Sequence, residues 1–323
     1  MKKSSSYFLI SLLSLNLLLI SCGKSFKGKT GTTTPPTKNI AYKFDSQNMC
    51  WSQSSIVGGS LMSENDPLSK SMVIILSTFE DIKTNTKHAY HCSGTLIEKN
   101  HILSAAHCFQ KVGEKLLAAS FVTANNMNCG SSFNKNLVFP INLDQIFYPK
   151  EFTAFEQPSS NSANNDIAIV SFEAILPTDY VPLPLSSMDL KKINSNQVKN
   201  LLLVGYGSTG TNKNQPPSLR SVVKSTTDLI LQTNTTNTSA SKSLIDTFKI
   251  IGVKQRNAKG GCTGDSGGAL LLNTPQGYEI MGVGSYIVPL DTKNNACEFG
   301  EFYYTHSLSY IDWIKSVINK KSL

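Results

Sequence analysis

From position 56 onward the chain alternates between short apolar runs and turn-forming segments. The runs fall at 72–76, 95–97, 167–172, 201–204, 269–272 and 280–283, and Gly, Asn, Pro and Ser cluster between them. Aliphatic and β-branched runs of this length predict strands. Many short strands with such punctuation predict an all-β architecture, a sandwich or barrels. One stretch breaks the pattern: Ile311, Trp313, Ile314, Val317 and Ile318 recur at three and four residues. That is the period of an amphipathic helix, predicted over about 307–320. The Thr/Asn/Ser tract at 233–241 has no period and reads as a surface loop.

The first 49 residues follow another pattern. Lys2 and Lys3 precede a nearly unbroken apolar run, 7–20, interrupted only by Ser11, Ser14 and Asn16. A short positive region and an apolar run of this length predict a secretory signal, and the run is short for a bilayer span. Leu19-Ile20-Ser21-Cys22 resembles a bacterial lipobox. The resemblance implies a signal peptide over 1–21 and lipid on Cys22, the first residue after cleavage. It places the chain in a bacterial envelope, as an outer-membrane lipoprotein, or outside the cell. Residues 22–49 are rich in Lys, Gly, Thr, Pro and Ser and read as a flexible tether. A coil of that length spans roughly 30 Å.

Charge changes meaning once it is placed. The 323 residues hold 30 Lys+Arg and 22 Asp+Glu, a net of +8. Seven of the Lys and one acid lie in 1–49, which leaves 23 basic and 21 acidic residues for the rest. The excess sits in leader and tether, so no basic face for nucleic acid is expected on the folded part. The chain has seven Cys. An exported chain keeps disulfides. With Cys22 lipidated, six Cys remain, and sequence alone permits fifteen pairings. The Cys and His spacings match no zinc pattern, and neither a metal nor a cofactor is expected.

The sharpest motif is Gly264-Asp265-Ser266-Gly267-Gly268. A Ser between glycines sits on a tight turn that lets backbone approach a substrate carbonyl. The amides of Gly264 and Ser266 then suit an oxyanion hole. A Ser hydroxyl needs a base to act as nucleophile. Leu103-Ser104-Ala105-Ala106-His107-Cys108 offers one, and Asn165-Asp166-Ile167-Ala168-Ile169-Val170 offers a carboxylate at the mouth of a strand. His88, His91, His101 and His306 lack such context and read as surface or packing residues.

These segments resemble the chymotrypsin/trypsin family of serine endopeptidases, over nearly all of 50–323. Ile56-Val57-Gly58-Gly59 looks like the family's mature N-terminus. Cys92-Ser93-Gly94-Thr95-Leu96-Ile97 looks like the strand before the His segment, and Gly205-Tyr206-Gly207 like the start of the second half. Gly282-Val283-Gly284-Ser285-Tyr286 looks like the substrate-aligning strand, and Tyr303-Tyr304-Thr305 like the closing strand. The resemblance implies two six-stranded Greek-key β-barrels, about 56–180 and 195–305, with the site between them. Ser266 would be the nucleophile, His107 the base and Asp166 its orienting carboxylate, acting on protein or peptide substrates. The implied disulfides are Cys92–Cys108 and Cys262–Cys297, with Cys50 and Cys129 remaining as a third pair.

The resemblance also implies a zymogen. Cleavage of a prosegment, 50–55, at Ser55–Ile56 would free an ammonium to pair with Asp265. Ser55 is not basic, so a protease favouring small residues, or this enzyme itself, would make the cut. Gly260, Ser285, Ile287 and Phe302 would line the primary pocket. Gly260 leaves its floor without a countercharge for a basic side chain, while Ile287 and Phe302 narrow it, so cleavage after small apolar residues is expected. The rival readings are a non-catalytic binding lipoprotein on a protease scaffold and an esterase-type acyl hydrolase, whose elbow motif and residue order differ from those here.

Overall fold

The computed structural model describes residues 56–125, 127, 134–154, 165–190, 193, 198–207, 217–231, 249–257, 259–290 and 296–320. The leader, Cys22, the tether, the prosegment and the tract at 233–241 lie outside them.

The chain runs through β1 (Ser60–Leu61), β2 (Met72–Asp81), β3 (Lys87–Glu98), β4 (His101–Ser104), β5 (Glu114–Val122), β6 (Val138–Ile141), β7 (Ile146–Phe147) and β8 (Ala168–Ser171). It continues through β9 (Asn200–Gly205), β10 (Arg220–Lys224), β11 (Leu229–Ile230), β12 (Ile250–Lys254), β13 (Ala269–Thr274), β14 (Gly277–Val288) and β15 (Glu301–His306). A short helix, α1 (Ala296–Phe299), precedes β15, and α2 (Ile311–Lys320) follows it.

Two antiparallel sheets result, in the orders β6-β5-β2-β3-β4-β8-β7 and β1-β10-β9-β13-β14-β15-β12-β11. Each holds six strands longer than two residues, as expected, and the two-residue segments β7, β1 and β11 extend them. All the apolar runs fall on strands. The run at 72–76 opens β2, whose Met72, Val73, Ile74 and Ile75 are fully buried. A strand covered on both faces reads as a continuous apolar run rather than an alternation.

The folded part begins with a crossing between sheets. β1 precedes the first sheet but pairs with the second, Ser60 opposite Ser221 and Leu61 opposite Arg220. The first sheet therefore begins at β2 rather than at position 56. At the other end, α2 carries Asp312 in its first turn and Lys320 in its last, each matched to the helix dipole. Its Ile314 and Val317 join a buried cluster that draws on both sheets, with Ile102, Leu103, Ile169 and Val170 from the first and Leu271 and Ile280 from the second. Burying each side chain contributes about 2 kcal/mol. Among the described residues no helix is long and apolar enough to cross a membrane.

One irregularity matters for the site. The β14–β15 register shifts between Gly284 and Tyr286, so Gly284 faces Tyr304, Tyr286 faces Tyr303, and Ser285 is the extra residue of a bulge.

Candidate active site

β4 ends at Ser104 and leads into a single turn of 3-10 helix, Ala106–Cys108, that carries His107. The disulfide Cys92–Cys108 ties this turn to β3. Asp166 lies just before β8, and Asn165 ahead of it adopts φ 62°, a left-handed conformation that Asn tolerates. The Asn165 amide holds that turn, donating to Glu151 O at 2.9 Å and accepting from the Tyr310 hydroxyl at 2.8 Å.

The two strand ends bring His107 and Asp166 together. His107 Nδ1–H donates to Asp166 Oδ2 at 2.8 Å, and the His107 main-chain N–H donates to Oδ1 at 2.9 Å. Ser285 donates to Oδ2 at 2.5 Å, and Thr305 donates to the Asp166 carbonyl at 2.7 Å. Asp166 is fully buried. Burial pushes its carboxyl up, but the His107 charge and the hydrogen bonds from His107 and Ser285 outweigh this, and the net shift is downward. The pair thus holds an ionised carboxylate against Nδ1 and fixes the imidazole by both ring and backbone.

Ser266 sits on the loop between Cys262 and β13, half-buried. Gly264 at φ 94° and Gly267 at φ 78° make the turn possible. A Cβ on Gly267 would lie 2.2 Å from Ser93 O, so only glycine lets the loop reach the first sheet. There the Ser93 N–H donates to Ser266 O at 2.7 Å, and Cys108 Sγ lies 4.0 Å from the same carbonyl. The Ser266 loop is thus held beside the turn carrying His107. Among the described residues the N–H groups of Gly264 and Ser266 have no backbone acceptor, as an anion site requires.

Asp265 points the other way and is buried. Its Oδ1 accepts from Gly207 N at 2.7 Å and its Oδ2 from Cys262 N at 2.8 Å. Burial pushes its carboxyl up to about 7 against those two bonds. Ile56 is buried, and Val57 pairs with Gly260 by two backbone hydrogen bonds of 3.1 Å. Ser55 lies outside the described residues.

The residues expected to line the primary pocket are closely packed. A Cβ on Gly260 would meet Gln255 Oε1 at 1.8 Å, so the Gln255 side chain occupies the space a side chain at 260 would take. Gln255 Nε2 donates to Ala296 O at 2.7 Å, and Oε1 is buried without a partner among the described residues. The Phe302 ring lies 3.1 Å from a Cβ on Gly261 and 3.0 Å from one on Gly284. Ile287 is opposite Phe302 in the β14–β15 pairing. The bulge directs the Ser285 hydroxyl to Asp166.

The second disulfide, Cys262–Cys297, joins the Ser266 loop to α1, while Cys50 and Cys129 lie outside the described residues. Cys92, His107 and Cys108 lie within metal-ligand distance of one another, but both sulfurs belong to the disulfide, which leaves no thiolate to bind an ion. Sequence reasoning missed three contributors. Gln255 stands in no motif, and the closing-strand motif that contains Thr305 gives it no role at the site. His91, read as packing, donates from Nε2 to Tyr206 O at 3.2 Å, and burial lowers its pKa to about 4, so it is neutral at pH 7.

Comparison with known proteins gives a consistent picture. A family model described as Trypsin matches residues 80–314. Spaetzle-processing enzyme of Drosophila melanogaster is 26% identical over 93% of this chain and 77% of its own length. Phenoloxidase-activating enzyme 1 of Spodoptera litura is 24% identical over 71% of this chain and 59% of its own. Chymotrypsin-like elastase family member 1 of Canis lupus familiaris is 24% identical over 86% and 98%. In fold, the chain is similar to the solved structure of HL collagenase, at a TM-score of 0.57 and 20% identity over 82% of this chain and 99% of that one.

Proposed function

The chain belongs to the trypsin family and is a serine endopeptidase, and from that premise we propose that Ser266, His107 and Asp166 carry its chemistry. Ser266 Oγ attacks the carbonyl carbon of the scissile peptide while His107 Nε2 takes its proton. The carbonyl electron pair moves to oxygen, where the N–H groups of Gly264 and Ser266 receive it. The intermediate collapses, the C–N bond breaks, and His107 returns the proton to the leaving amine. Water then repeats the sequence on the acyl-enzyme and frees Ser266. The observation that carries this reading is the doubly bonded His107–Asp166 pair, with its carboxylate held ionised in a dry site.

The enzyme is made as a zymogen. Cleavage at Ser55–Ile56, by a protease favouring small residues or by the enzyme itself, frees an ammonium for the buried carboxyl of Asp265. A buried carboxyl with backbone partners alone is a poor anion, and an ammonium beside it ionises it. Phe302, Ile287 and Gln255 restrict the pocket to small apolar side chains. The protein is exported and lipid-anchored at Cys22, and a Cys50–Cys129 bond keeps the cut domain on its tether.

The test is an organophosphonate serine-hydrolase probe applied before and after cleavage at Ser55–Ile56, with Ser266→Ala as control. Labelling only after cleavage is expected. The close packing of the expected pocket residues favours one rival, a non-catalytic binding lipoprotein on this scaffold. Absence of labelling in well-folded protein starting at Ile56 would establish that rival.

A further inference from the structure

We infer that Ser93, a strand residue of the first sheet, is a positioning residue for the oxyanion-binding loop of the second. The inference rests on the catalytic reading above. Ser93 is fully buried on β3, between Cys92 of the disulfide and Gly94. Its hydroxyl donates to Gly264 O at 2.9 Å and accepts from Tyr206 N at 2.9 Å. Its main-chain N–H donates to Ser266 O at 2.7 Å. Its own carbonyl accepts from the Ser104 hydroxyl at 2.8 Å, which fixes the strand from behind.

Gly264 and Ser266 are the residues whose N–H groups would receive the oxyanion. Ser93 therefore holds the carbonyl of each of them. Each of these peptides has a second anchor; after Gly264 it is Asp265 N–H to Cys262 O at 3.0 Å. The peptide after Ser266 is pinned at both ends, by Ser93 at its carbonyl and by Gly267 N–H to Gly284 O at 2.6 Å. Gly268 N–H also holds Asp265 O at 2.8 Å, which fixes the peptide carrying the Ser266 N–H. Gly264 has φ 94° and no side chain to restrict it. Packing gives it no room for one, since a Cβ there would meet His91 Nε2 at 2.2 Å. Its carbonyl is tied to the first sheet by the Ser93 hydroxyl. That carbonyl lies in the peptide shared with Asp265 N–H, and the Gly264 N–H lies in the peptide before it, so the Ser93 bond acts on the Gly264 N–H by anchoring the Gly264 Cα between the two planes.

Removing the hydroxyl leaves the buried Gly264 carbonyl and the buried Tyr206 N–H unpaired, a cost that the loop can lower by turning its carbonyl away. The Gly264 N–H then leaves the position of the developing charge. That loss is felt in the transition state and not in the bound substrate.

The test uses the full chain after cleavage, with active sites counted by phosphonate titration. Ser93→Ala and Ser93→Gly are expected to lower kcat about 10- to 100-fold with KM unchanged, a fraction of what losing a whole oxyanion donor costs. Affinity for a peptide aldehyde, which forms a tetrahedral adduct, is expected to fall by the same factor. Affinity for a non-covalent product peptide is expected to hold. A lowered Tm with kcat and aldehyde affinity within twofold of the unmodified protein would overturn the inference and leave Ser93 a structural residue. Should those variants not fold, Ser93→Thr, which keeps the hydroxyl, is compared with its isostere Ser93→Val. High kcat in Thr and low kcat in Val supports the inference, and equal values overturn it. No phosphonate reaction in the unmodified protein would overturn the catalytic reading and this inference with it, whereas normal labelling with unaffected variants would overturn this inference alone.

Discussion

Asp166 receives three hydrogen bonds on its carboxylate, two from His107 and one from Ser285. Only the His107 bonds bear directly on the imidazole. The Ser285 bond stabilises the ionised form of its partner, and hydrogen bonds to charged groups contribute about 2 kcal/mol. Ser285→Ala is therefore expected to lower kcat/KM about tenfold and to leave the residue preference at the cleaved bond unchanged. Assaying the variant on peptides that differ only at that residue checks both halves. A changed preference with unchanged kcat would assign Ser285 to the pocket wall. Asp166→Asn acts on the His107 bonds themselves. It exposes the imidazole to the wrong tautomer, and kcat is expected to fall about 10⁴-fold, as in other triads of this kind. Ser285 also marks what sequence could not disclose at this scale. Strand alternation predicts which face a side chain occupies, and a bulge changes that parity without leaving any residue signature. Ser93 and His91 were hidden for a related reason. On a strand they are two alternating polar positions, and nothing local says that the facing surface is the nucleophile loop.

The strands were legible because burial writes them as apolar runs, and α2 was legible because its stripe repeats at the helical period. The loops carrying Asp166 and Ser266 were legible by composition, since tight turns need Gly or Asn at positive φ, and the His107 turn by its resemblance to the family's motif. Packing between elements was not legible. Phe302 reads as a pocket residue, but nothing in the sequence says that it lies opposite both Val253 of β12 and Ile287 of β14. Its ring fills the gap between Gly261 and Gly284, two glycines that leave space for it. Phe302→Ala is expected to open that gap. Cleavage after Leu or Phe should rise at least tenfold relative to Ala in a competitive peptide assay. The variant should also be less stable by about 3–5 kcal/mol, the usual cost of deleting a buried ring. A drop in stability with no change in preference would show that the ring belongs to the barrel core and not to the pocket. The Cys92–Cys108 bridge acts at the same scale. Replacing both Cys by Ala is expected to cost about 3 kcal/mol in chemical denaturation, because the bridge closes a loop of separation 16.

At the scale of the whole molecule, the two sheets are joined at several points. β1 belongs to the second sheet although it precedes the first, α2 enters a buried cluster that draws on both, and the Ser266 loop of one is bonded to β3 of the other. Asp265 lies beneath this junction, and its titration reports which state the chain is in. In the uncut protein burial raises its carboxyl to about 7, while in the unfolded chain it titrates near 3.8. The native state then binds more protons than the unfolded state between those values, so stability falls as pH rises. The stabilisation relative to a permanently ionised group is complete below about pH 4 and is lost as pH passes 7, a change of about 4 kcal/mol. On the proposed activation the sign is expected to reverse: an ammonium at Ile56 would lower the Asp265 pKa, so the pair would stabilise above the carboxylate range and fail on acidification. Melting curves from pH 4 to 8, recorded on a Ser266→Ala background to prevent autolysis, separate the two states. Uncut protein should fall progressively below its Asp265→Asn variant as pH rises, and cut protein should rise above its own. If the two forms showed the same pH dependence, Asp265 would not be the partner of the new N-terminus, and activation would have to act through another part of the junction.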